Sequence, residues 1–284
     1  MEKLQQALHK ARRERDATAA AQGRAVRGDA RGANHGSGDG DTLADDAWLS
    51  IAPVTLDPEH LIRQRIVSHD NSRDSGAFDI LRTKLMLQMK KHGWRRIAIT
   101  SPTPVCGKST VVCNLALGLS RQSDIRTVVL ELDLRKPSIA EMLGVRPPED
   151  IARMLSGDVS FQDQALRIRD NTAISIAQSA TSDPTRYFLS EKLEARLAEI
   201  EAAQDPDLMI FDVPPLLAGD DTRALLRHVD CALLIARAEM TTVAQIDACE
   251  REIAEQTNVL GVVLNQYRHE DDTTGYGYGY GYGQ

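Results

Sequence analysis

The sequence predicts an α/β fold, a doubly wound and mainly parallel sheet with helices on both faces, on three observations. Short continuous apolar runs alternate with longer amphipathic stretches, the pattern of strands buried on both faces and the helices that cover them. Glycine gathers at the two ends: six of 19 fall between Gly23 and Gly40 and five between Gly275 and Gly283, which leaves eight for a folded middle. The polar motifs follow directly on apolar runs, at the carboxyl ends of strands, where such sheets bind ligands.

The elements follow in order. Residues 2–15 (EKLQQALHKARRER) place Leu4, Leu8 and Ala11 at helical spacing among basic residues, which predicts a short amphipathic helix. Up to Arg31 this arm carries eight Lys/Arg against four Asp/Glu, a local net of +4. It reads either as a contact for an acidic partner or lipid headgroups, or as a solvated helix followed by a disordered leader. A domain over residues 48–268 is expected after this 1–47 segment, with 269–284 expected as a flexible Gly/Tyr-rich tail. Within the domain the predicted strands are Ile97–Thr100, Thr127–Leu132, Leu208–Val213, Cys231–Ala236 and Val259–Asn265. Helices are expected over Lys108–Arg121, Ser190–Ala203 and Val243–Glu255.

Composition narrows the function. The chain has 284 residues, 42% hydrophobic and 26% charged, with a net charge of -7. The acidic balance argues against a nucleic-acid partner, whose phosphates need a basic surface. Cys106, Cys113, Cys231 and Cys249 have neither C-x-x-C spacing nor paired histidines nearby, so no zinc site or disulfide framework is expected, and a reducing cytosol fits. No apolar run approaches the ~18 residues of a membrane span, and the N-terminus lacks the apolar core of a secretory signal. Any membrane role is expected to come through a partner.

After Thr100 comes SPTPVCGKSTVV and then an apolar helix. Gly107 lets the backbone approach a phosphate, Lys108 neutralises β/γ oxygens, Ser109 places a hydroxyl on Mg2+, and the helix start at Thr110 adds amide donors. With Pro104, Val105 and Cys106 these residues form a candidate phosphate loop, although G-x-x-x-x-G-K-[ST] has Pro102 in place of its first glycine. The alternative is a structural strand–helix turn. The next strand, VVLELDLRKP, is expected to project Glu131, Asp133 and Arg135 on one side, where a metal-phosphate group would satisfy them; the alternative is solvated charges at a strand end. Asp212 ends LMIFDVPP where a magnesium-holding aspartate is needed. Asn265, closing VLGVVLN, reads as an adenine contact or as a turn residue.

Four of six tyrosines, Tyr276, Tyr278, Tyr280 and Tyr282, alternate with glycine in the last nine residues. They read as phosphoacceptors on a chain able to enter a neighbouring site, or as an adhesive aromatic tail. Tyr187 and Tyr267 read as structural or surface residues.

Together, the loop TSPTPVCGKST, the ELDLR motif, DVPP and the tyrosine cluster resemble the bacterial tyrosine kinases of polysaccharide export and capsule assembly (BY-kinases), relatives of MinD/ParA-type P-loop ATPases. The resemblance covers about Asp74–Gln284. It implies a P-loop fold, ATP and Mg2+ as cofactors, and autophosphorylation of the tail tyrosines between subunits, regulating exopolysaccharide or capsule polymerisation and export. It further implies a homo-oligomer, a membrane chain-length regulator as activator, a cognate tyrosine phosphatase, and a cytoplasmic place at the inner membrane held through a partner. By the same resemblance Lys108 and Ser109 hold phosphates and Mg2+, Asp133 and Asp212 form the metal shell, and Glu131 activates the tyrosine hydroxyl. The sequence departs from the family at Glu131, where Asp is usual, at Val105-Cys106 in place of Gly-Glu, and at Thr103 in place of the signature lysine of MinD/ParA. The assembly motif E-x-x-R-x-x-R is reduced to Gly76, Asp79 and Arg82. A MinD/ParA-like switch ATPase and a non-catalytic nucleotide-binding scaffold are the competing readings.

Overall fold

The computed structural model describes residues 46–267. The arm helix predicted over 2–15 and the tail tyrosines lie outside the described residues. Eight strands form one sheet: β1 Ala52–Val54, β2 Arg96–Thr100, β3 Thr127–Glu131, β4 Leu166–Ile168, β5 Thr172–Ser175, β6 Leu208–Asp212, β7 Cys231–Arg237 and β8 Asn258–Asn265. Their order is β1-β4-β5-β3-β6-β2-β7-β8. Only the β4/β5 pair is antiparallel, so the predicted fold class holds.

Four helices exceed ten residues: α1 Gly76–His92, α2 Lys108–Ser120, α3 Glu191–Gln204 and α4 Val243–Gln256. Because side chains alternate along a strand, each central strand feeds both layers. Ile97 and Ile99 of β2 pack with Leu85, Met89, Val111 and Leu115 of α1 and α2, while Ala98 faces the layer holding Leu193, Leu197 and Ile253 of α3 and α4. Complete burial of such a leucine is worth about 1.5–3 kcal/mol. Trp48, in a helical turn at 46–50, is buried against the same layer as α3 and donates its indole N–H to the Gln204 carbonyl at 2.6 Å.

Helix starts separate structure from site. The Ser190 hydroxyl caps α3, and Thr242 with Gln245 forms a capping box on α4. The α2 helix starts after Gly107 with no side-chain cap, so its first N–H groups remain for an incoming anion.

One expectation is corrected by the backbone. The extended segment after Val128 stops at Glu131, and the chain turns with the Lys136 amide on the Asp133 carbonyl. Glu131, Asp133 and Arg135 therefore do not line one side of a strand.

Candidate nucleotide-binding site

Parallel register brings the three motif ends together. β6 lies between β2 and β3, with Asp212 opposite both Ile99 and Glu131. The loop between β2 and α2 is held from outside through its carbonyls. Amides of Leu216 and Leu217 donate to Ser101 (2.8 Å) and Pro102 (3.2 Å). The Arg237 guanidinium donates to Val105 (3.5 Å) and Asn265 Nδ2 to Cys106 (2.9 Å). Gly107 has φ +84°, and a Cβ there would stand 2.4 Å from Asn265 Nδ2, so the position needs glycine twice over. Val105 takes φ +66° at 74% exposure, a conformation that costs a β-branched residue about 1–2 kcal/mol.

The charges meet beneath this loop. Lys108 Nζ lies 2.7 Å from Asp133 Oδ2, 3.2 Å from Asp212 Oδ1 and 3.3 Å from the Ser109 hydroxyl, which itself donates to Asp212 Oδ2 at 2.7 Å. All but Ser109 are buried. Burial works against the Lys108 charge, but Asp212 and Asp133 outweigh it and hold its pKa above the usual value. Complete burial raises Asp212 against the pull of Lys108. One ammonium between two carboxylates leaves a net charge of -1, a site short of positive charge.

The remaining predicted residues are placed as follows. Glu131 is fully buried: Oε1 accepts the Ser138 (2.6 Å) and Ile139 (2.8 Å) amides and Oε2 the Ala177 amide (3.0 Å). Burial pushes it up to about 7, with those amide bonds opposing. The structure thus leaves Glu131 out of the Lys108 cluster, bracing the turn that carries Asp133. Arg135 turns to Asp221, which also accepts from Thr185, and not to the loop. Asn265 stands beside the loop with its amide nitrogen given to Cys106. Cys106 is buried, with its sulfur near the Thr103 and Thr241 hydroxyls; Pro104 lies in the loop, and Thr110 is half-buried in the first turn of α2. Two further residues bear on the site: Arg237 is the last residue of β7, and Asp221 is the first residue of a short helix, Asp221–Leu226, nine residues beyond the end of β6. In the sequence Arg237 is signalled only by closing an apolar run, and Asp221 by nothing local.

A family profile described as ParA, NUBPL iron-transfer P-loop NTPase, matches residues 94–276. The chain belongs to the ParA family of P-loop NTPases. Among relatives of this NTPase, the tyrosine-protein kinase wzc of Salmonella typhimurium is 28% identical over 192 residues, 66% of this chain and 26% of that protein. The tyrosine-protein kinase YwqD of Bacillus subtilis is 26% identical over 201 residues, 70% of this chain and 84% of that one. The chain spans about a quarter of the length of wzc and of the similarly sized etk of Escherichia coli. The VpsO kinase domain superposes with TM-score 0.61 at 26% identity, covering 68% of this NTPase and 96% of that domain. At 21% identity and TM-score 0.52, covering 60% of this chain and 72% of the other, a cobyrinic acid diamide synthase from Mycobacterium smegmatis, solved with an ATP analogue and magnesium, shares the fold. The resemblance to bacterial tyrosine kinases is borne out by these relatives' names.

Proposed function

We propose that this ParA-family NTPase is an ATP-dependent protein-tyrosine autokinase that phosphorylates Tyr276, Tyr278, Tyr280 and Tyr282, between subunits of a homo-oligomer. The observation that carries the reading is the convergence of Lys108, Ser109, Asp133 and Asp212 at three strand ends in a chain that closes on four tyrosines. The names of the relatives support it.

The residues fit magnesium-bound ATP. Two carboxylates and a hydroxyl are the hard oxygen donors that Mg2+ takes together with phosphate oxygens, and the net charge of -1 calls for a cation. Ser109, Asp133 and Asp212 would hold the ion, which supplies charge neutralisation at the β and γ phosphates. Lys108 is stored on the two acids and transfers to the phosphates when they arrive, while the uncapped start of α2 donates amides. The tyrosine oxygen then bonds to the γ-phosphorus as the bond to the bridging oxygen breaks; ADP leaves, and the phenol proton passes to solvent or phosphate. Such transfer is largely positioning and charge stabilisation, so it proceeds with Glu131 occupied by backbone amides.

In this reading a membrane chain-length regulator activates the kinase and holds it at the inner membrane, a tyrosine phosphatase resets it, and the cycle controls exopolysaccharide or capsule export. Assembly does not use the reduced helix motif: Asp79 is bound by Ser75, Arg82 and Arg121, and Arg82 also holds the Gly118 carbonyl within the subunit.

The test mixes a Lys108→Met chain with intact tail and a chain whose four tail tyrosines are phenylalanine, adds Mg·ATP and the regulator's cytoplasmic fragment, and detects phosphotyrosine. Signal in the mixture and in neither chain alone is expected. Signal from the wild type but not from the mixture places transfer within one chain. ATP turnover by the wild type without phosphotyrosine overturns the kinase reading in favour of a nucleotide switch.

A further inference from the structure

The two edges of the sheet are built differently. β1 is three residues long and contains Pro53, two ordinary ways of blunting an edge against further pairing. β8 is eight residues long, NVLGVVLN, without a charge or a proline. It pairs only with β7, and from Gly261 to Asn265 that pairing is regular. Its side chains are half-buried to exposed, Leu264 at 48%, where β2, β3 and β6 are almost wholly buried. Among the described residues no strand covers its other side. A long, uncharged, apolar edge of this kind calls for an occupant.

We propose that the occupant is the chain's own unphosphorylated tail, residues 275–284, which adds to β8 as a further strand. Continuity favours it, because the chain leaves β8 at Asn265 and reaches Gly275 after nine residues, 266–274, more than a hairpin reversal requires. Length favours it too: ten residues extend to about 33 Å against about 26 Å for eight. So does pattern, since GYGYGYGYGQ has a strict period of two, which in extended backbone sets all four phenols on one face and all the glycines on the other. Alternate glycine makes a poor strand in isolation, so this segment depends on a template that supplies main-chain partners. Phosphorylation would place about two negative charges on each ring at about 6.6 Å spacing along one face, and the tail would leave the edge.

Docking does not depend on the kinase reading; only release by the chain's own activity rests on it. The test uses the full chain, stripped of phosphate by a phosphatase and kept free of ATP, and follows amide hydrogen exchange in β8 with β6 as internal reference. A second full chain carries Gly277→Pro, Tyr278→Pro, Gly279→Pro and Tyr280→Pro; successive N–H groups of a strand point to opposite sides, so ladder N–H groups are lost in either register. Exchange in β8 should be at least tenfold slower in the first chain. Synthetic GYGYGYGYGQ should restore that protection to the second, and the same peptide with four phosphotyrosines should not. Equal exchange in the two chains overturns the proposal. Protection that grows with protein concentration overturns the assignment to the chain's own tail, and protection by the phosphopeptide overturns release.

Discussion

Asn265 donates its side-chain amide to the Cys106 carbonyl at 2.9 Å, so the last residue of β8 holds the phosphate loop across 159 positions of sequence. Replacing it with alanine strands a carbonyl and opens space beside Gly107. One hydrogen bond of this kind is worth about 1 kcal/mol, and ADP affinity should fall between threefold and tenfold with the fold intact. Gly107→Ala should cost less in the Asn265→Ala background than alone, because the 2.4 Å clash is gone while the positive φ remains. Nucleotide titration and melting of the four chains of this cycle measure both.

Lys108 offsets two buried acids. In Lys108→Met the uncompensated charge should cost about 3–5 kcal/mol near neutral pH. Without the ammonium, Asp212 is raised further, so this loss should shrink as the pH falls toward 5. Asp212→Asn makes the opposite change, removing the excess negative charge and keeping the Lys108–Asp133 pair. It should leave the nucleotide-free protein as stable as the wild type or about 1 kcal/mol more so, and abolish magnesium-dependent turnover. Melting curves across pH, with an ATPase assay, decide both.

Glu131 sets a separate pH dependence. Its folded pKa of about 7 stands above the ordinary 4.5, so its contribution is complete below pH 4.5 and is lost as pH rises through 7. The span corresponds to roughly 3 kcal/mol. Glu131→Gln cannot titrate, and turns an N–H group toward one of the three amides, at a cost of about 1–3 kcal/mol. The stability gap between wild type and this variant should therefore narrow from pH 5 to pH 8. A constant gap would mean that the amide bonds keep Glu131 ionised throughout.

Val105 carries strain in the open. Asparagine tolerates φ +66° and keeps a side chain, so Val105→Asn should stabilise by about 1 kcal/mol. Glycine relieves the same strain but adds unfolded-state freedom, and should come out near neutral. Thermal melts of the two variants would contradict this if both were destabilised.

The longer elements of this fold are legible in the sequence, and the shorter ones are not. β2, β3, β6 and β7 are continuous apolar runs, and burial on both faces writes that pattern directly into the chain; β8 carries a similar run at the edge of the sheet, where its side chains are half-buried to exposed. β1, β4 and β5 have three or four residues each, too few for any period, and APV, LRI and TAIS are strands only through their neighbours. Asp133 and Asp212 were legible because an acid ending an apolar run has few other uses. Glu131 is the last residue of β3, so side-chain alternation does not continue to Asp133 and Arg135 and gives no guide to where those two lie. The true partners of Asn265 and Arg135, Cys106 and Asp221, lie 159 and 86 residues away, a separation that no local pattern records.

Tyrosine autokinase activity is read from the mass of the wild-type chain, and of its tail peptide, after incubation with Mg·ATP and the cytoplasmic fragment of the proposed regulator. Up to four added phosphates are expected, all within 275–284, and none in Lys108→Met. An unmodified tail in a chain that binds and hydrolyses ATP would contradict that activity.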